Sequence, residues 1–302
     1  MKLFKTIDAM IEIMRPRQWV KNVVVGIGVF FALMDQNQAR TLPVSRVVIE
    51  TAITFILFCI VSSAVYIMND LHDINSDRAH PEKRNRPLAA GRLSPRVAVV
   101  EYFTLLALAL VAAGIFDHNV AICIGLYFVM QTVYTYCLKN MVLVDVIILA
   151  MGFMIRVYSG TLSASVRVSS WMLICAFMAL LFVGLCKRRA EKHMLGEEAG
   201  NHRKVLKYYT VGFLDQLISS TGAATIICYS IYTLSPETVK KFGTERMIAT
   251  IPFVIFGVYR YMYLTMCKND GGYPEMVFTK DIPMIVNVVL YICTCILIIK
   301  VL

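Results

Sequence analysis

The sequence contains no HExxH, GxSxG, phosphate-loop or GxGxxG pattern. Zinc proteolysis, serine-esterase chemistry and dinucleotide binding therefore lose their usual local signatures. No Gly/Ser-rich or Pro-rich linker divides the chain, so a single domain over residues 1–302 is expected. The nine Cys, at 59, 123, 137, 175, 186, 228, 267, 293 and 295, form no CxxC pair. Nearly all sit inside apolar blocks and read as small hydrophobes in helices. The five His, at 72, 80, 118, 193 and 202, show no metal-ligand spacing. Residues 1–18 are charged and lack a small-residue cleavage site, so no cleavable signal peptide is expected. Charge is also scarce, at 17% of residues.

What is abundant is apolar. Hydrophobic residues make up 58% of the chain and mean hydropathy is +0.66, well above a soluble domain. They fall in nine blocks near 19–34, 47–68, 97–115, 120–136, 141–162, 170–186, 213–234, 247–266 and 282–301. Crossing a hydrocarbon core takes roughly 20 apolar residues as helix. Lipid offers the backbone no other partner, so the expected fold class is all-α, a bundle of nine transmembrane helices.

The net charge is +10, and the basic residues lie between the apolar blocks. Membrane lipids and phosphorylated substrates are therefore the expected partners, and nucleic acid is not. About 21 of the 30 Lys and Arg flank one face, and about seven the other (Arg40, Arg46, Arg167, Lys240, Lys241, Arg246 and Lys300). The positive-inside rule puts the N-terminus and the two long basic loops, about 69–96 and 187–212, in the cytoplasm of a cell-membrane protein. An odd number of spans puts the C-terminus outside. The two loops lie four spans apart, which hints at a duplicated half.

The strongest local pattern is Asn69-Asp70-Leu71-His72-Asp73-Ile74-Asn75-Ser76-Asp77. Asp70, Asp73 and Asp77 are spaced i, i+3, i+7; Asn69, Asp73 and Asp77 are spaced i, i+4, i+8. On a helix each set projects from one face. Carboxylates gathered there repel unless a cation joins them, and hard oxygen donors suit Mg²⁺. Lys83, Arg84 and Arg86 follow at once. Metal plus Lys and Arg is what a polyphosphate needs for charge neutralisation.

Other polar residues sit within or beside the spans. Arg17, Trp19, Lys21 and Asn22 stand where the first span begins, with Trp19 as interfacial anchor. Arg156 is about ten residues from either end of its span, where a charge usually marks a site. Its partner is expected to be Asp145 or a bound phosphate. Tyr134 and Lys139 close the fourth span; Lys187, Arg188 and Glu191 close the sixth.

These residues resemble the UbiA superfamily of membrane-embedded prenyltransferases. Asn69, Asp70, Asp73 and Asp77 match its first motif, N-D-x-x-D-x-x-x-D, in full. Its second motif, usually D-x-x-x-D, is replaced here by Lys187-Arg188-Arg189-Ala190-Glu191. The chain looks most like the branch that uses phosphoribosyl diphosphate as donor. That likeness covers nearly the whole chain. It also rests on the stretch from Arg15 to Asn22, on Leu138-Lys139, on Arg156, on Phe213-Leu214-Asp215-Gln216-Leu217 and on Tyr259-Arg260-Tyr261.

The resemblance implies a nine-helix bundle whose two basic loops cap the active site, with Mg²⁺ as cofactor. It implies transfer of 5-phosphoribosyl to a decaprenyl-type polyprenyl phosphate, with pyrophosphate leaving, as a precursor step for cell-wall polysaccharide. A homo-oligomer is compatible with it. Expected metal ligands are Asn69, Asp70, Asp73 and Asp77. Lys83, Arg84 and Arg86 are expected at the diphosphate, and Arg17, Lys21 and Arg156 at the lipid phosphate. Lys187 and Arg188 are expected at the donor's 5-phosphate or the lipid phosphate, with Tyr134, Lys139 and Glu191 also contacting substrate. Asp73, Asp77, Lys21 and Arg156 are expected to be catalytic. Two alternatives stand beside this. One is prenyl transfer from a prenyl diphosphate to an aromatic or other acceptor, which expects a second acidic motif. The other is a transporter or lipid-binding protein, which gives no reason for carboxylates beside a basic cluster.

Overall fold

The computed structural model describes residues 2–27, 29, 43–79, 83–165, 169–196, 204–268 and 274–300. Among them every long element is a helix and no strand occurs. The chain opens with α1 (Lys2–Ile13) and a 3₁₀ helix (Pro16–Gly26). Next come α2 (Val44–His72), the short α3 (Ile74–Ala79) and α4 (Pro95–Phe116). Helix α5 (His118–Val133) runs into a π turn (Tyr134–Leu138). Then follow α6 (Val144–Ser163), α7 (Ser170–Leu195), α8 (Val211–Leu234) and the short α9 (Pro236–Phe242). The chain closes with α10 (Ile251–Met266), α11 (Pro274–Lys280) and α12 (Ile282–Lys300).

Eight stretches among the described residues are long and apolar enough to cross a membrane. They coincide with expected spans two to nine. The first expected span, 19–34, begins as the 3₁₀ helix, and residues 30–34 lie outside the described residues. Both basic segments expected as loops begin as helix. Helix α2 continues to His72 and α7 to Leu195, so Asn69, Asp70 and all of 187–191 are helical. Hydropathy drops where charged residues begin, but in α7 the Lys, Arg, Ala and Glu that follow are good helix formers, so the backbone continues. Of the remainder of the second loop, residues 197–203 lie outside the described residues.

Helix ends follow local chemistry. Ser94, Asp117, Thr210 and Ser235 each accept a hydrogen bond from a backbone N–H in the first turn that follows. Asp117 also ends α4, so one residue makes the α4–α5 corner. Gly243 ends α9 at φ +69°, the left-handed region that glycine enters without a Cβ clash.

The chain divides into two compact units. The first comprises Met1–Phe30, Pro43–Cys137 and Ile155–Val166; the second comprises Phe31–Leu42, Leu138–Met154 and Arg167–Leu302. The first is built on Val25, Phe58, Val65, Ile124 and Tyr127, with a smaller cluster of Ala9, Ile13, Ile67, Leu88 and Leu93. The second is built on Val146, Leu185, Leu214, Ile218 and Tyr261, with a further cluster around Tyr229, Tyr232 and Ile298. Within the first unit α6 meets the 3₁₀ helix at Gly160. A Cβ there would lie 2.0 Å from the Val25 carbonyl oxygen, so only glycine admits this approach.

Candidate functional site

Asn69 and Asp70 lie in the last turn of α2, and Asp73 follows as its C-cap. The Asp73 N–H bonds to the Asn69 carbonyl (2.9 Å), and the Asp77 N–H to the Asp73 carbonyl (2.8 Å). The helical repeat therefore runs through the junction into α3. At 100° per residue, Asp70 and Asp77 stand about 20° apart, while Asp73 is turned about 60° from Asp70. Arg86 Nη1 accordingly bridges Asp70 Oδ1 (3.1 Å) and Asp77 Oδ2 (2.6 Å). Arg15 Nη2 donates to the same Asp70 oxygen. Asp73 instead pairs with His72 Nδ1 at 2.7 Å, and Asn69 accepts from the Thr135 hydroxyl of the π turn. The three carboxylates thus stay within about 60° of one helix face, and it is their partners that differ.

Exposure separates them further. The Asp70 side chain is 2% exposed and Asp77 5%, but Asp73 is 33% exposed. Among the described residues no three His, Cys, Asp or Glu side chains converge as a closed metal cage. Mg²⁺ does not need one. It commonly takes one or two carboxylates and completes its shell with water and phosphate oxygens. Asp73 is accessible enough to supply such a carboxylate, while Asp77 Oδ2 is held by Arg86 and the Asn69 amide oxygen by the Thr135 hydroxyl.

Among the described contacts Arg156 bonds to Asn22 and Tyr127, whereas Asp145, one of its two expected partners, bonds to Arg188. Arg156 is 5% exposed, and its Nε donates to Asn22 Oδ1 (2.7 Å) while Nη2 donates to the Tyr127 hydroxyl (2.7 Å). Its guanidinium carbon lies 4.5 Å from the Tyr127 ring centroid. Asn22 in turn donates to Ser62 Oγ (3.2 Å) and Cys59 Sγ (3.3 Å) on α2. Trp19 Nε1 donates to Ser63 (3.1 Å), also on α2. The 3₁₀ helix is thus pinned on α2 by Trp19 and Asn22, and on α6 by Arg156 and the Gly160–Val25 contact. The same helix carries Arg17, which is exposed, and Lys21, which is half-buried.

Asp145 is fully buried in the second unit and belongs to Arg188, whose Nε donates to Asp145 Oδ2 at 2.7 Å. Arg188 Nη1 also donates to Glu191 Oε2 (2.8 Å), and the Tyr209 hydroxyl donates to Asp145 Oδ1 (2.8 Å). Burial pushes the Tyr209 hydroxyl up, so it stays protonated as this donor. Arg188 is 2% exposed and is held by both carboxylates. Next to it, Arg189 Nε donates to Asp215 (2.8 Å) and Nη1 to the Thr265 carbonyl (2.7 Å) at the end of α10.

Of the remaining expected residues, Arg84 is exposed and Lys83 half-buried in a 3₁₀ turn (Lys83–Asn85). Tyr134 is buried in the π turn, and Lys139, Lys187 and Glu191 are half-buried in the second unit. Arg15, Tyr127, Thr135 and Tyr209 were not singled out as site residues from the sequence. Arg15 carried a signal in the Arg15-Pro16 dipeptide that ends α1; a Tyr or Thr inside an apolar block carries none.

The family model that matches this chain is described as the UbiA prenyltransferase family and covers residues 23–270. A Corynebacterium glutamicum protein named decaprenyl-phosphate phosphoribosyltransferase is 34% identical over 280 residues, covering 91% of this chain and 81% of that one. A Mycolicibacterium smegmatis protein of the same name is 30% identical over 291 residues, covering 91% and 87%. The structure of a UbiA homolog from Archaeoglobus fulgidus bound to GPP and Mg²⁺ aligns with a TM-score of 0.69 at 18% identity, covering 97% of this chain and all of that one. That likeness shows a shared fold.

Proposed function

The chain belongs to the UbiA prenyltransferase family, and within it we propose that this multi-pass membrane protein transfers 5-phosphoribosyl from phosphoribosyl diphosphate to a polyprenyl phosphate. The single observation that carries this reading is the likeness, at 34% and 30% identity over most of the chain, to two proteins named decaprenyl-phosphate phosphoribosyltransferase. The chemistry of the first unit supports it. A phosphate oxygen of the lipid attacks the anomeric carbon, the carbon–oxygen bond to the diphosphate breaks, and pyrophosphate leaves. In-line attack inverts the centre, so an α donor yields a β-linked product. A phosphate is already ionised near neutral pH, so little general-base help is required. The work left to the protein is positioning and charge stabilisation.

Mg²⁺, when bound, neutralises the diphosphate. We assign its protein ligands as Asn69, Asp73 and Asp77, and the Mg²⁺ in the archaeal homolog supports a divalent ion in this fold. Lys83, Arg84 and Arg86 follow the motif directly and are assigned to the leaving diphosphate. Arg17 and Lys21, on the pinned 3₁₀ helix, are assigned to the lipid phosphate. Arg156 supports that helix through Asn22. Tyr134, Lys139, Lys187 and Glu191 are assigned to substrate contacts that substitution can test singly. The excess of Lys and Arg beside the motif supports a cytoplasmic face for the site.

The test is transfer of label. Membranes containing the protein are incubated with labelled phosphoribosyl diphosphate, polyprenyl phosphate and Mg²⁺. Label in the organic phase, dependent on both lipid and metal, is expected. No label there, but transfer from a labelled prenyl diphosphate, would replace this reading with prenyl transfer.

A further inference from the structure

Asp70 differs from the other acids of its motif in what surrounds it. Its side chain is 2% exposed, and its Oδ1 receives two guanidinium groups, Arg15 Nη2 and Arg86 Nη1. Each cation comes from a different segment. Arg15 is the corner between α1 and the 3₁₀ helix. It is one of three non-glycine residues with positive φ among the described residues, at φ 55° and ψ 60°. An L-residue holds that conformation only where its surroundings over-determine it. Here the guanidinium is bound to Asp70 and lies over the Tyr66 ring, 5.2 Å from its centroid. Tyr66 stands one helical turn before Asp70 on α2. The Arg15 carbonyl then accepts from Gln18 N–H (2.8 Å), the bond that starts the 3₁₀ helix.

On its other side Asp70 fixes Arg86, whose backbone N–H closes the Lys83 turn by bonding to the Lys83 carbonyl (3.0 Å). One buried carboxylate therefore ties together two basic segments, 15–21 and 83–86. Both converge on a single carboxylate oxygen. A divalent ion placed on that oxygen would stand against both guanidinium groups at contact distance, where like charges repel strongly in a buried setting.

We infer that Asp70 is a positioning residue and not a metal ligand. It holds Arg15 and Arg86, and so sets where the Arg17–Lys21 segment and the Lys83–Arg86 turn present their charges to phosphate. This separates Asp70 from Asp73 although the sequence pattern gives them equal standing. The inference rests on the proposed phosphoribosyl transfer only for what the bases bind. The separation of Asp70 from the accessible Asp73 stands on the contacts alone.

The experiment compares purified wild type, Asp70→Asn and Asp73→Asn by two independent readouts. One is Mn²⁺ binding followed by electron paramagnetic resonance in the presence of pyrophosphate, which needs no turnover. The other is steady-state kinetics with each substrate varied. Asp73→Asn is expected to weaken Mn²⁺ binding about tenfold or more, whereas Asp70→Asn should leave it within about twofold. Asp70→Asn should raise KM for phosphoribosyl diphosphate about tenfold, as a displaced charge-assisted contact would, with a smaller change in kcat. Asp70→Glu, which keeps the carboxylate, should recover part of that KM. A purely structural role would lower the active fraction and leave KM unmoved.

Equal loss of Mn²⁺ binding in Asp70→Asn and Asp73→Asn would overturn the assignment. Should Asp70→Asn fail to fold, Arg15→Gln removes one partner and keeps the carboxylate. A raised KM with unchanged Mn²⁺ binding supports the inference, and an unchanged KM overturns it. If wild type transfers nothing from phosphoribosyl diphosphate, the functional reading fails by itself. The Mn²⁺ comparison then still decides the role of Asp70.

Discussion

Each unit of this protein joins guanidinium groups to carboxylates, but the two arrangements are built to different degrees of closure. In the first unit Arg15 and Arg86 meet Asp70 and Asp77 with 26% and 27% of their side chains exposed, and Asp73 beside them is 33% exposed. In the second unit Arg188 meets Asp145 and Glu191 with 2% of its side chain exposed, and Asp145 is fully buried. A half-exposed guanidinium can turn part of its donor fork to a phosphate oxygen without leaving a buried charge behind. A sealed one cannot, because leaving Asp145 would strand that carboxylate in a low-dielectric interior. The same residue types are thus left partly open to water in one unit and closed from it in the other.

The largest expected effect tests the accessible end of this contrast. Asp73→Ala should abolish transfer at saturating Mg²⁺ while leaving thermal unfolding in detergent near that of wild type. Near-normal rates would remove Asp73 from the metal-binding set. The sealed end predicts the reverse pattern. Arg188→Ala should destabilise by about 3–5 kcal/mol, since it strips the cation from Asp145 and Glu191. A variant as stable as wild type but with raised KM would move Arg188 into the same class as Arg86.

Tyr127→Phe lies between these limits. It removes the hydroxyl that accepts from buried Arg156 and should destabilise by about 1–3 kcal/mol. Unchanged stability would mean that the Arg156 cluster does not help to pin the 3₁₀ helix. Arg92 and Glu12 form a bidentate pair at 2.6 and 2.7 Å, but both side chains are 44% exposed. Arg92→Ala should therefore cost less than about 1 kcal/mol, and less still at high salt.

The smallest effect concerns acid. The hydrogen bond from Arg260 holds the Asp281 carboxyl below the usual carboxylate range. A depressed carboxylate adds stability that is fully present above its unfolded pKa of about 3.9 and lost as pH falls through the lower folded value. Wild type should accordingly lose stability on the acid side of pH 4 slightly more steeply than Asp281→Asn. Superimposable acid limbs in the two proteins would show that the pair adds nothing measurable.

What could be read directly from the sequence were the features governed by local physics. The bilayer sets a length, and lipid forces every backbone group into a helix, so blocks of apolar residues located spans two to nine to within a few residues. The acidic motif was visible for the same reason: its spacing is a property of one continuous backbone path from Asn69 to Asp77. The basic ends of α2 and α7 were misjudged as loops because hydropathy reports where water begins and not where the helix ends.

Tertiary structure decided the pairing. Arg156 finds Asn22 across 134 residues, and Asp70 finds Arg15 across 55, while Asp145 goes to Arg188 instead of Arg156. These choices depend on how helices cross and which side chains they leave in reach of water, and no local pattern encodes either. Composition established that cations and carboxylates meet in this chain. Only packing determined which of those meetings stay accessible to water.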